Sequence, residues 1–248
     1  MTHVLVPVAV LDGETVSPGL IEALDSVTVT VLGYHEVPEQ TPPDQARNQF
    51  EDRATEILED ICDEFEAGGG TAYHRLVFTR DRAKSVDRVA AEIEADATLV
   101  VQPTPQVEEV YVAVGTSQEV PLVASVLGDF LSDIEADVFL RFFLKAERSD
   151  ATTGEEALEE LASRLTETGV DRERIDTAVQ TGKKAVGPIV QDAEGRGVDL
   201  VVLSEPDLSI GEFILGDIEE RIAKQLLAPV LVVRKEKADE SETASGGD

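Results

Sequence analysis

Two segments, Gly197-Val-Asp-Leu-Val-Val-Leu-Ser204 and Leu227-Ala-Pro-Val-Leu-Val-Val-Arg234, frame the stretch that decides the fold. Each carries a short apolar run without alternation, the texture of a strand buried on both faces of a parallel sheet. Between them, Ser204 to about Ile214 reads as a loop and the run from Gly216 as a helix. Strand, loop, helix, strand is one crossover unit of an α/β sheet. At the carboxyl ends of such strands, a loop leading into a helix N-terminus is where a phosphate-bearing ligand would sit.

Upstream the same alternation recurs. The pattern predicts strands at Val4–Val10, Val27–Tyr34, Ala72–Phe78 and Ala97–Gln102, with helices at Ser17–Leu24, Asp44–Ala67 and Asp81–Ala95 between them. Phe50, Ala54, Ile57, Leu58, Ile61 and Phe65 mark one face of the longest helix. Pro7 is awkward inside the first strand because it cannot donate to a ladder. Pro103-Thr-Pro105 breaks the pattern, and the order restarts. Strands follow at Val110–Gly115, Asp137–Lys145, Ile175–Gln180 and Val198–Leu203, and helices at Val120–Ile134, Thr152–Thr168 and Lys184–Glu194. Arg141, in the middle of an apolar strand, is assigned an exposed or edge-facing position.

The second series repeats the first with a period near 105 residues and adds the helix from Gly216 and the strand Val230–Val233. The first series has no room for that addition. The expected organisation is a truncated repeat at 1–105, a complete one at 106–234 and a disordered acidic tail at 235–248.

The 248 residues carry a formal net charge of -30, from 51 acidic and 21 basic side chains. Residues 1–105 hold 20 acidic and 7 basic, and the rest 31 and 14, so the charge covers the whole surface. It argues against nucleic acid, which needs Lys and Arg to displace counterions, and against anionic membranes. Only 7 of the basic residues are Lys and there is no Trp, a composition similar to that of proteins of salt-accumulating haloarchaea. Cys62, the single cysteine, excludes an intrachain disulfide and reads as a buried, inert thiol. No apolar run approaches a membrane span and no signal peptide is visible, so a cytoplasmic location is expected.

The Val4-Leu-Val-Pro-Val, Asp96-Ala-Thr-Leu-Val-Val101 and Val198-Asp-Leu-Val-Val-Leu strands, and above all Leu227-Ala-Pro-Val-Leu-Val-Val233, give the chain its resemblance to a tandem universal stress protein. The resemblance implies Rossmann-like parallel sheets in the order 3-2-1-4-5 with helices on both faces, the first repeat lacking its last helix and strand. The family's nucleotide-binding branch has an Asp ending the first strand and a Gly-x2-Gly-x9-Gly-Ser/Thr loop after the fourth. The Asp position falls on Gly115 in the second half and on Ala9 in the first, with Asp12 displaced. Anchoring the loop on Gly216 puts Leu203 and Pro206 at the first two glycines and Asp217 at the hydroxyl residue.

The residues agree with that loss. Pro206 has no N–H for a phosphate. Asp217 would cap the helix end that an anion needs, and Glu205, Asp207 and Glu212 add like charge. The favoured reading is therefore a non-catalytic regulatory or interaction protein that does not bind ATP, acting through an unidentified protein partner. The alternative is an ATP- or AMP-binding stress or transport regulator, with Gly115, Thr116, Ser117, Ser204 and Gly216 lining the crevice. A hydrolase of the adenine-nucleotide type finds no nucleophile or metal cluster to support it. His3, His35 and His74 have no ligand spacing. Gly182-Lys183-Lys184 lacks the rest of a phosphate loop. Glu155-Glu156 and Glu219-Glu220 read as solvated helix faces, with Glu220/Lys224 and Asp217/Arg221 as i,i+4 pairs. Val230–Val233, an edge strand without a first-half counterpart, predicts a homodimer paired along that edge.

Overall fold

A computed structural model describes residues 1–144, 151–181, 186–204 and 217–234. Nine strands form a single sheet: β1 (His3–Val8), β2 (Thr28–Glu36), β3 (Thr71–Thr79), β4 (Ala97–Val100), β5 (Glu109–Val114), β6 (Asp137–Leu144), β7 (Ile175–Thr181), β8 (Leu200–Ser204) and β9 (Val230–Val233). Their spatial order is β3-β2-β1-β4-β9-β8-β5-β6-β7. The first four strands thus lie as 3-2-1-4 and the last five as 3-2-1-4-5, the strand order that the resemblance implies. Every described pairing is parallel except that of β4 with β9.

Helices cover both faces, as parallel strands require. On one face α1 (Pro18–Ala23), α2 (Pro43–Gly68), α4 (Val120–Phe130) and α5 (Ala151–Glu167) share one continuous core. On the other, α3 (Arg82–Glu92) packs over Leu5 and Leu32, while α6 (Val186–Ala193) and α7 (Asp217–Leu226) pack over Tyr111, Val201 and Val232. The strands alternate between these cores. Leu99 and Leu231, opposite one another, point to the first face, and Val232, opposite Thr98, points to the second.

The antiparallel pair corrects the expected dimer edge. Val230–Val233 is not an edge strand: it bonds β8 on one side and Ala97–Val100 of the same chain on the other. With no fifth strand in the first half, β4 would leave a row of apolar-flanked N–H and C=O groups unpaired, and β9 has the same need. Their union satisfies both within one chain. The linker between the halves is held close, since Thr104 N–H donates to Ser17 Oγ at 3.2 Å. Its backbone at Pro105 would lie 2.5 Å from any Cβ at position 19, so Gly19 is required by close approach.

Pro7 is accommodated by the same geometry. Asp96 N–H donates to His3 C=O, so the odd residues of β1 turn their backbone groups toward β4. That ladder ends at Leu5↔Thr98, two residues before Pro7. The missing donor falls where no partner strand remains.

Arg141 corrects another expectation. It is fully buried rather than exposed or edge-facing. Its Nη2 donates to Asp176 Oδ2 at 2.6 Å and its Nε to Asp192 Oδ2 at 3.0 Å. Tyr111 O–H (3.0 Å) and Gln180 Nε2 (3.2 Å) also donate to Asp192. Arg141 and Arg196 both lie over the Phe139 ring, at 5.7 and 5.0 Å. Burial, followed by the Asp192 charge, pushes the Tyr111 phenol well above its ordinary pKa, so it remains a donor.

Three outcomes follow from this architecture. Leu231→Ala should lower unfolding free energy in guanidinium titrations by about 2–5 kcal/mol; loss of a dimer at unchanged stability would contradict the intrachain pairing. Arg141→Met should cost about 1–3 kcal/mol by the same assay, below the usual loss for a broken buried pair because Asp176 can rehydrate; an unchanged midpoint would contradict the role given to the cluster. Burial, then Glu66, Asp63 and Glu59, pushes the Cys62 thiol to about 11. Iodoacetamide at pH 8 should therefore alkylate the folded protein at least ~100-fold more slowly than the unfolded chain, and comparable rates would place the thiol in solvent.

Candidate functional site

The second-half crevice opens where β5 and β8 end side by side, with Ala113 in register with Leu203. This brings Gly115, Thr116 and Ser117 to the same sheet end as Ser204. Gly115 follows β5 directly, Thr116 is extended (φ -147°, ψ 152°), and Ser117 is exposed at the start of a 3₁₀ turn, Ser117–Glu119. Ser204 is buried at the end of β8. Gly216, the fifth expected member, lies outside the described residues. So do Pro206, Glu205, Asp207, Glu212 and the Gly182-Lys183-Lys184 run, as well as the tail at 235–248.

A residue that sequence reasoning missed occupies this crevice. Glu119 is 5% exposed, and its Oε2 accepts the Gly115 N–H at 2.9 Å. The first half has a counterpart: Ala9 N–H donates to Glu14 Oε2 at 2.6 Å. Between them Val10–Asp12 forms a 3₁₀ turn that closes on Gly13 at φ 80°, a left-handed conformation suited to glycine. In both halves, then, the backbone donor just past the first strand is taken by a carboxylate that folds back from the following turn. The spacing is five residues in one half and four in the other. No fixed motif would have found it; the only signal was a Glu shortly after each strand.

The pair Glu219-Glu220 also departs from expectation. It is not a solvated face. Glu219 is buried, and Glu220 pairs with Arg82 of α3 as well as with Lys224 at 3.0 Å. Burial acts to raise the Glu220 pKa, but the Lys224 hydrogen bond and the Arg82 charge outweigh it and leave the carboxyl below its ordinary value. Arg82 also lies over the Tyr34 ring at 5.0 Å, so one guanidinium joins β2, α3 and α7. Glu155 and Glu156 are exposed, as read.

The histidines do not converge. His3 Nε2 is 2.8 Å from Thr30 Oγ1, His35 sits among Phe50 and Phe78, and His74 is exposed on β3. Among the described residues no group of three or more His, Cys, Asp or Glu is placed to hold a metal ion. No helix among them is long and apolar enough to cross a membrane.

No protein-family model matches the chain, and no curated protein matches it. Solved structures do. A universal stress protein from Archaeoglobus fulgidus is similar with a TM-score of 0.64 at 14% identity, over 94% of this chain and 96% of that one. A functionally unknown protein from Pseudomonas aeruginosa PAO1 is similar with a TM-score of 0.52 at 12% identity, over 94% and 92%. A putative universal stress protein from Pseudomonas aeruginosa UCBPP-PA14 is similar with a TM-score of 0.50 at 13% identity, over 94% and 93%. The fold is therefore that of the universal stress proteins.

Proposed function

We propose that the chain is a non-catalytic regulatory or interaction protein of the universal-stress type whose crevices do not take a nucleotide triphosphate. The observation that carries this reading is the buried Glu119 carboxylate on the Gly115 N–H. A phosphate-binding crevice offers free backbone donors at the strand ends. Here that donor is committed, and a negative charge stands in its place. A phosphate reaching this donor would first have to displace the carboxylate from it. Glu14 on the Ala9 N–H imposes the same opposition in the first half. Signalling by this protein then runs through contacts with a protein partner.

The second reading is an ATP- or AMP-binding regulator. What favours it is the convergence of Gly115, Thr116, Ser117 and Ser204 on one sheet end. Thermal unfolding at multimolar KCl, with and without 1 mM ATP, AMP or a cyclic dinucleotide plus Mg²⁺, separates the two. A ligand at 100 times its Kd stabilises by about 2.7 kcal/mol, which for a chain of this size raises Tm by roughly 5–10 °C. The expected shift is below about 1 °C on that scale. A saturable rise of several degrees with any of the nucleotides would establish the second reading instead.

A further inference from the structure

A trough of about 500 Å³ lies at the amino ends of β1, β2 and β3, on the face that α3 covers. The crevices at Ala9 and Gly115 are at the opposite, carboxyl ends of their strands. Leu5, Thr30 and Tyr73 stand side by side in register across the three strands, and Leu5 packs under α3. The matching row of the second half is Tyr111, Phe139 and Asp176. There Arg196 closes over the Phe139 ring at 5.0 Å and reaches Asp176 and Asp192 at 3.9 and 3.7 Å. Six residues, 194–199, join α6 to β8, but only four, 93–96, join α3 to β4. The shorter turn has no counterpart of Arg196, and the row beneath it stays open. The volume falls in the range of small-molecule sites.

We propose that this trough binds a small aromatic carboxylate. Its lining is His3, Thr30, Tyr73, His74, Arg75 and Ile93. That set holds two of the chain's three histidines and an arginine, and none of its 51 acidic residues. On a molecule of net charge -30, a concavity without a carboxylate is a local reversal of the surface field, and an anion is the ligand it favours. Asp96 and Glu92, which adjoin it, are committed: Asp96 Oδ2 accepts the His3 N–H at 2.8 Å, and Glu92 is held by Arg88 at 2.6 Å.

Each part of the ligand has a group that can reach it. Arg75 is half-exposed and lies 3.7 Å from Glu92, an ion pair too long for a hydrogen bond, and it donates none among the described residues. Its planar fork is thus open to a ligand carboxylate, which it can take through two parallel N–H bonds. His3 Nε2 is 2.8 Å from Thr30 Oγ1, which fixes the ring and leaves Nδ1 unbonded among the described residues. Tyr73 serves the aromatic body. It is 59% exposed, and with Met1 and Leu227 it makes up the large apolar side chains left outside the described core. Its ring offers a face for offset stacking. Ile93 supplies apolar contact from the end of α3.

The test is NMR titration of the intact chain with 4-hydroxybenzoate and with its uncharged analogue 4-hydroxybenzamide. Multimolar KCl screens the long-range repulsion of the surface and leaves a contact pair largely intact. The three histidines give three imidazole signals, assigned with His3→Gln and His35→Gln. The benzoate should move the His3 signal along a one-site saturation curve and leave that of His35, beside Phe50 and Phe78, in place. The amide should bind at least about fivefold more weakly. Arg75→Gln and Tyr73→Thr should each weaken the benzoate by about fivefold or more, the loss of one charge-assisted contact or one aromatic contact. Both side chains are exposed, so Tm should hold. No saturable shift at His3, equal binding of the amide, or unchanged affinity in either variant would overturn the proposal. The site does not rest on the nucleotide question, because these variants leave both strand-end crevices untouched.

Discussion

Four residue pairs between β4 and β9 hold the two halves in one sheet. Everything distal to them follows. Because that pairing is antiparallel, the halves are related by an approximate two-fold axis through the sheet. The axis keeps α1, α2, α4 and α5 on a common face and lets them merge into one core. On the opposite face the symmetry is broken, since α7 has no first-half mate. Arg82 and Arg234 span the gap, the first to Glu220 and the second to Asp87 at 3.4 Å. The only sheet edges left among the described residues are β3 and β7. β3 is furnished with exposed Tyr73, His74 and Arg75, polar or bulky side chains that discourage edge-to-edge addition.

The acidic composition makes the interior arrangement of charge informative. On a surface of net charge -30, cations are scarce and their positions matter. Arg141 is spent at a fully buried position, where it pairs with the partly exposed carboxylates of Asp176 and Asp192 and places a guanidinium against Phe139. Elsewhere the excess of carboxylates shows as strain. Burial and then the charges of Asp137 and Asp199 hold the Glu109 carboxyl above its ordinary pKa, and its Oε2 has no hydrogen-bond partner. Asp25 is raised too, by burial and then by Glu22 and Asp133. Both groups are stabilised by protonation in the folded state. They favour folding at a pH below the unfolded carboxylate range, and that contribution is lost as pH rises through their folded values.

The order of elements was legible because buried parallel strands need continuous apolar runs and their crossovers need amphipathic helices. Leu200–Ser204 and Val230–Val233 could hardly have been anything else. Two classes of feature were not legible. Partner choice was one: nothing in Val-Leu-Val-Val says whether the strand beside it belongs to the same chain, because the hydrogen-bonding backbone is common to all residues. Side-chain satisfaction was the other. Arg141 in an apolar strand reads as exposed when taken alone, and only the register of β6 against β7, with the return of α6, brings two aspartates to it. The same holds for Glu14 and Glu119, whose role depends on turns that place each carboxylate on a backbone N–H several residues earlier. The loss of the phosphate-loop glycines was visible in the chain, whereas the carboxylates that take over the strand ends were not.

The β4–β9 pairing also has a consequence in time. Leu99 and Leu231 are opposite one another although more than a hundred residues separate them. At synthesis rates of about 5–20 residues per second, the first half emerges on the order of ten seconds before its last neighbour exists. Throughout that interval β4 presents a naked apolar edge, the template on which foreign strands nucleate. The nascent first half already carries 20 acidic against 7 basic side chains, so mutual repulsion keeps sister chains apart until the C-terminal strand arrives to close the sheet.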